Sequence, residues 1–199
     1  MEKLISAIRR LKQDKELKQK VSRRIREFQN AKDWFSELCF CIMTANAKAM
    51  PAIEMQKTTN FYMLSEKQLA RKFKGKIRFH NNKAGYICRA RKFKNIRQIL
   101  KGESEQEARA WLVENIKGLG MKEASHFLRN VGAKDLAILD RHILSVLKQY
   151  GIIKKIPALT KKNYLAIEKK VQGLAKASGL SVAELDLYLW FLKTGKVLK

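Results

Sequence analysis

The chain has 199 residues, 46% of them hydrophobic, enough for a compact core and too apolar for global disorder. Lysine and arginine number 43 against 18 acidic residues, and a formal charge of +25 points to a polyanion: DNA, RNA or an anionic membrane surface. The membrane is the weakest of these, because no uninterrupted apolar run approaches the roughly 20 residues of a spanning helix.

The N-terminal stretch Met1–Arg10 carries charges where a signal peptide has its apolar region, so an intracellular protein is expected. The basic helix from Lys15 to Arg26 also holds acids, and a solvated face explains it. Asp33 caps a following helix, and Trp34, Phe35, Leu38, Phe40, Ile42 and Met43 leave that helix so few polar positions that it belongs in the core. Three further helix starts are marked by capping boxes: Ser65 to Gln68, Ser104 to Glu107 and Ser181 to Glu184. Glycines 151, 173, 179 and 195 fall where helices should stop, and Pro51 and Pro157 fit helix starts or loops. No strand-length alternation, internal repeat or low-complexity linker occurs. An all-α fold of roughly nine to eleven helices follows from the usual spacing of such elements.

Between Lys67 and Lys101 lie thirteen basic residues and no acid, interleaved with Phe73, Phe79, Tyr86 and Phe93. Any one of these residues reads as a solvated cation or a core aromatic. The segment as a whole, stripped of acids, reads as a phosphate-binding surface. Cys39, Cys41 and Cys88 are odd in number and sparse, which argues against a disulfide framework and cannot supply four thiolates to an iron–sulfur cluster. His80, His126 and His142 pair with neither each other nor cysteine at helical spacing, so no metal site is expected.

The richest stretch is 116–140. Apolar positions Ala108, Trp111, Leu112 and Ile116, then Ala124, Phe127, Leu128 and Val131, define two helices spanning 104–131 around the turn Lys117-Gly-Leu-Gly-Met121. Leu119 packs inward to hold this αα-hairpin. Gly118 and Gly120 allow a tight turn, and the free amides there, with Met121 opening the helix, suit a DNA phosphate without reading sequence. Lys122 sits in the first helical turn, where its charge opposes the helix dipole by a few tenths to about 1 kcal/mol. Free lysine, with a pKa of about 10.4, is a poor nucleophile at neutral pH unless something promotes loss of its proton. The dipole favours that loss and a nearby carboxylate opposes it, and sequence leaves open which prevails. Asp140, eighteen residues on, reads as the N-cap of a helix from Arg141 to Tyr150. A carboxylate fixed in that way can also stabilise positive charge developing on a sugar.

The turn, lysine and aspartate at this spacing resemble the catalytic pattern of the helix-hairpin-helix DNA glycosylase superfamily. The run Gly-Met-Lys-Glu-Ala-Ser-His-Phe-Leu-Arg-Asn, with Phe40–Asn46, Arg78-Phe-His-Asn-Asn-Lys-Ala and the terminal Trp190–Lys199, is similar more narrowly to the type 2, archaeal-type 8-oxoguanine DNA glycosylase/lyases. The resemblance implies two helical lobes around a DNA-binding cleft, a flipped base, Lys122 as nucleophile and Asp140 as its partner. It implies an aromatic pair, best matched by Phe79 and Trp190, sandwiching the flipped base. It also implies that Gly195 ends the last helix and that the tail to Lys199 folds back to help recognise the base. The N7–H of 8-oxoguanine calls for an acceptor, and the terminal carboxylate of Lys199 is a ready one. No external cofactor is required, although the family often holds a monovalent cation on the hairpin's carbonyls. The implied partner is duplex DNA containing 8-oxoguanine, met by a monomer in a prokaryotic cytoplasm. Two alternatives stay open at this point: a lyase for another oxidised base, and a non-catalytic protein gripping phosphates through the hairpin.

Overall fold

A computed structural model describes residues 1–199, and every regular element in it is helical. Twelve α-helices and a 3-10 turn at Arg91–Phe93 are present, more than the expected nine to eleven. The surplus is small, since α7 (Ile96–Ile99) is a single turn too short to leave a periodic pattern. No helix is long and apolar enough to cross a membrane. The chain divides into two compact units, Met1–Asn30 with Gly132–Lys199, and Ala31–Val131.

The discontinuous unit holds α1 (Glu2–Gln13), α2 (Lys15–Gln29), α10 (Arg141–Gln149), α11 (Lys161–Ser178) and α12 (Val182–Thr194). Leu17, Val21 and Phe28 of α2 pack on Leu187 and Tyr188 of α12, and Val197 of the tail joins them. Gly179 and Gly195 end their helices in the left-handed conformation, as expected. Gly173 does not: it lies within α11, where burial of Val171, Leu174 and Ala175 outweighs the roughly 1 kcal/mol that an interior glycine costs. The buried segment Leu136–Leu139 is not helical, so its polar backbone groups must find partners elsewhere. Glu168 of α11 accepts from Ala137 N at 2.9 Å, and the Tyr164 hydroxyl donates to Ala137 O at 2.5 Å. These two side chains fix the path of the chain leading into Asp140.

The continuous unit holds α3 (Trp34–Thr44), α4 (Ala49–Thr58), α5 (Glu66–Phe73), α6 (His80–Ala90), α7, α8 (Glu105–Asn115) and α9 (Met121–Asn130). Asp33 caps α3 through Ser36 N at 2.9 Å, and Phe35 and Leu38–Met43 are buried, as the near-absence of polar residues predicts. The capping boxes at Ser65, Ser104 and Ser181 are all formed. Helices α8 and α9 make the expected hairpin, with Ala108, Leu112, Ile116, Leu119, Ala124, Phe127 and Leu128 buried.

Candidate active site

The hairpin turn depends on Gly118, whose φ of +96° lies where side chains are disfavoured and where Tyr86 of α6 closes over the backbone. Gly120 differs. Its φ is −101° and a β-carbon there meets nothing nearer than Glu123 Oε2 at 3.4 Å, so the chain's own packing does not demand a glycine. A small residue at this point keeps the approach to the first amides of α9 open. Gly120 is the N-cap of α9 and offers no side chain to those amides, which leaves the helix start suited to an anion.

Lys122 lies in the first turn of α9, one residue after Met121, with its side chain about a quarter exposed. Its Nζ is 2.8 Å from Glu123 Oε1. The resemblance led to Lys122 and overlooked the partner beside it. A second overlooked group is Lys83 on α6, an expected member of the phosphate-binding surface that is instead only 3% exposed. Its Nζ donates to Met43 O and Ala45 O, 2.7 Å each, and so serves orphan carbonyls at the C-terminal end of α3. Burial lowers the Lys83 pKa to about 8, Glu123 opposes that shift, and Lys122 and Arg78 add to it. Charge therefore couples α6 to the first turn of α9.

Phe79 is not a core aromatic. It is 52% exposed, with Arg78 guanidinium 4.7 Å from the ring centroid. Its backbone is left-handed, φ 58°, which costs a non-glycine residue roughly 1–3 kcal/mol and is retained mainly at functional positions. The structure also thins the basic segment: besides Lys83, Arg91 is tied by Nε to Phe61 O at 2.8 Å and by its other nitrogen to Leu64 O. Lys72 donates to Thr58 O at 2.7 Å. Lys74, Lys76 and Arg78 remain exposed.

In the discontinuous unit, Asp140 caps α10, its Oδ1 accepting from His142 N and Ile143 N at 2.8 Å each. The helix starts at Arg141 as expected and ends one residue early, at Gln149. The His142 ring meets Trp190 edge to face, with centroids 4.8 Å apart, so Asp140 and Trp190 are neighbours through one histidine. Nothing in the sequence pattern marked that histidine. Gly195 ends α12, and Val197 returns to pack on the α2–α12 core, which anchors the tail that ends in Lys199.

Each unit thus holds one of the expected groups: an amine beside an anion-ready helix start in one, a carboxylate held by two backbone amides in the other. The family model described as 8-oxoguanine DNA glycosylase matches residues 20–180. The chain belongs to the 8-oxoguanine DNA glycosylase family. An 8-oxoguanine DNA glycosylase/AP lyase of Methanocaldococcus jannaschii is 47% identical, the match covering 98% of this chain and 99% of that one. The crystal structure of the Methanocaldococcus jannaschii 8-oxoguanine glycosylase/lyase with a 15mer DNA containing 8-oxoguanine superposes with a TM-score of 0.94 at 46% identity, covering 98% and 99% of the two chains. The 8-oxoguanine DNA glycosylase of Thermotoga maritima gives a TM-score of 0.92 at 40% identity over the full length of both. The all-helical helix-hairpin-helix architecture of this chain is therefore that of the 8-oxoguanine DNA glycosylases.

Proposed function

We propose that this protein excises 8-oxoguanine from duplex DNA and then nicks the strand as an AP lyase, with Lys122 as the nucleophile. The observation that carries the assignment is Lys122 in the opening turn of α9, directly after the Gly118–Gly120 turn, in a chain 47% identical to an 8-oxoguanine DNA glycosylase/AP lyase. The enzyme first takes the damaged nucleotide out of the stack, because C1′ cannot be attacked past a stacked base. The turn amides of Gly120 and Met121 grip a backbone phosphate, and the exposed cations Lys74, Lys76 and Arg78 extend that grip without reading sequence.

The Lys122 amine then attacks C1′. The C1′–N9 bond breaks and its electron pair leaves with the base, which is protonated as it departs. The Asp140 carboxylate, held still by two backbone amides, stabilises positive charge that develops on the sugar. Ring opening gives an imine between Lys122 and C1′. Loss of a C2′ proton expels the 3′ phosphate by β-elimination, and water hydrolyses the imine to free Lys122. Phe79 and Trp190 are read as the rings that stack on bases, and Lys199 as a contact to the flipped base. The carbonyls of the Lys117–Leu119 turn are the donors that would hold a monovalent cation. Such a cation would add positive charge at the phosphate grip, and no chemical step uses it.

The experiment is borohydride trapping on a duplex with one 8-oxoguanine. The wild-type chain is expected to give a covalent complex, and Lys122→Gln to give none while binding the same duplex within about threefold. Trapping by the variant would remove Lys122 from the role.

A further inference from the structure

We propose that Lys83 is a positioning residue for Phe79: from inside the fold it clamps two strained stretches of backbone, the turn at Asn46 and the start of α6, into one rigid rim for the flipped base. The inference rests on the reading of Phe79 as a stacking ring. Only two non-glycine residues of the chain have a positive φ, Asn46 at 50° and Phe79 at 58°. Asparagine accepts that conformation more readily than phenylalanine, but either residue keeps it only where the surroundings dictate it. Both residues are exposed, so burial of their own side chains does not hold them there.

Lys83 meets both stretches. Its backbone N–H donates to Phe79 O at 3.0 Å in the first turn of α6, and its Nζ donates to Met43 O and Ala45 O, 2.7 Å each. The carbonyl of Ala45 belongs to the peptide plane that leads into Asn46, so holding that oxygen fixes one side of the turn. Ala47 N closes the other side by donating to Thr44 O at 3.0 Å. The end of α3 is itself immobile, because Leu38–Thr44 are buried. One residue thus registers the start of α6, and Phe79 with it, against the core helix of the unit. The arrangement is not the cheapest way to fill the space. Burial lowers the Lys83 pKa to about 8, so the two bonds do not fully offset the desolvation of its ammonium. What the buried lysine adds is geometry. A ring already fixed in place receives a base without the entropy loss of being ordered at that moment.

The test compares two substrates in single turnovers: a duplex with one 8-oxoguanine, which must be flipped and held, and a duplex with a pre-made abasic site, which offers no base to hold. Lys122 serves both. Lys83→Met, which keeps the bulk and removes the donors, is expected to slow excision by about tenfold or more and abasic cleavage by less than about threefold. In an Asn46→Gly background, where the left-handed backbone carries no strain, the loss of excision caused by Lys83→Met should shrink to about threefold or less. Equal slowing on the two substrates would make Lys83 merely structural and overturn the proposal. Unchanged excision, or a loss of the same size in both backgrounds, would overturn it too. If Lys83→Met fails to fold, 15N relaxation of the free wild-type protein carries the test. The amides of Asn46 and Phe79 should then show order parameters of about 0.85, as in rigid backbone, and a value below about 0.6 at either residue overturns the proposal. Failure of the underlying reading is distinct: Phe79→Leu would then excise 8-oxoguanine at the wild-type rate, whatever Lys83 does.

Discussion

Gly118 lies against Tyr86 so closely that a β-carbon on it would stand 2.5 Å from Cδ2 of the ring, at a φ of +96°. Two independent penalties therefore oppose any side chain there, steric overlap and left-handed backbone. Gly118→Ala is expected to cost about 2–4 kcal/mol in denaturant unfolding. Adding Tyr86→Ala should relieve the overlap and leave about 1 kcal/mol of backbone strain. A single variant as stable as wild type would mean that the hairpin turn relaxes freely.

Asp140→Asn separates capping from chemistry. Asparagine caps a helix nearly as well as aspartate, so unfolding should change by less than about 1 kcal/mol. Excision should fall by about a hundredfold or more, because the amide cannot balance positive charge on the sugar. Full activity in this variant would reduce Asp140 to a cap of α10.

Salt dependence distinguishes the cations that face solvent from those consumed inside the fold. Each phosphate neutralised contributes about 0.9 to the slope of log affinity against log salt. Replacing exposed Lys74 and Lys76 by glutamine should flatten that slope by one to two phosphates' worth in a duplex-binding titration. Arg91→Gln should leave the slope unchanged and cost about 1–3 kcal/mol of stability, since it strips donors from Phe61 O and Leu64 O. The reverse pattern would move the DNA surface away from Lys74 and Lys76.

Lys83 should also announce itself in stability. Its pKa falls from 10.5 to about 8 on folding, so between those values the unfolded chain binds more protons than the folded one. Stability contributed at this site therefore rises as pH climbs from about 8 to 10.5 and is flat below that window. The gap between wild type and Lys83→Met should shift in favour of wild type by on the order of 2–3 kcal/mol across it. A gap independent of pH, measured by urea unfolding, would show that Lys83 titrates as an ordinary lysine.

Much of this protein follows from short-range rules that a sequence carries openly. Ser65, Ser104 and Ser181 close capping boxes because the partners are three residues away, and Asp33 and Asp140 cap for the same reason. The α8–α9 hairpin follows from apolar spacing and from Gly118, whose left-handed backbone is a local matter. Lys122 and Asp140 stand out in the sequence through their spacing from the Gly118–Gly120 turn together with the resemblance to the glycosylase pattern. Gly173 marks the limit of such rules, since packing of its neighbours keeps α11 continuous through a residue that favours ending it. What only the tertiary structure decided is where side chains go when their partners are far along the chain. Lys83, Arg91 and Lys72 read as free cations, yet each is committed to backbone carbonyls 14 to 40 residues away. Phe79 reads equally as a core aromatic or as a ring for the flipped base, and only the fold shows it half exposed on a left-handed backbone, while His142 became notable only when folding brought Trp190 against it. Periodicity reports which face of an element is buried, but it is silent on which distant carbonyl or ring meets that face. That information arises only when the helices pack.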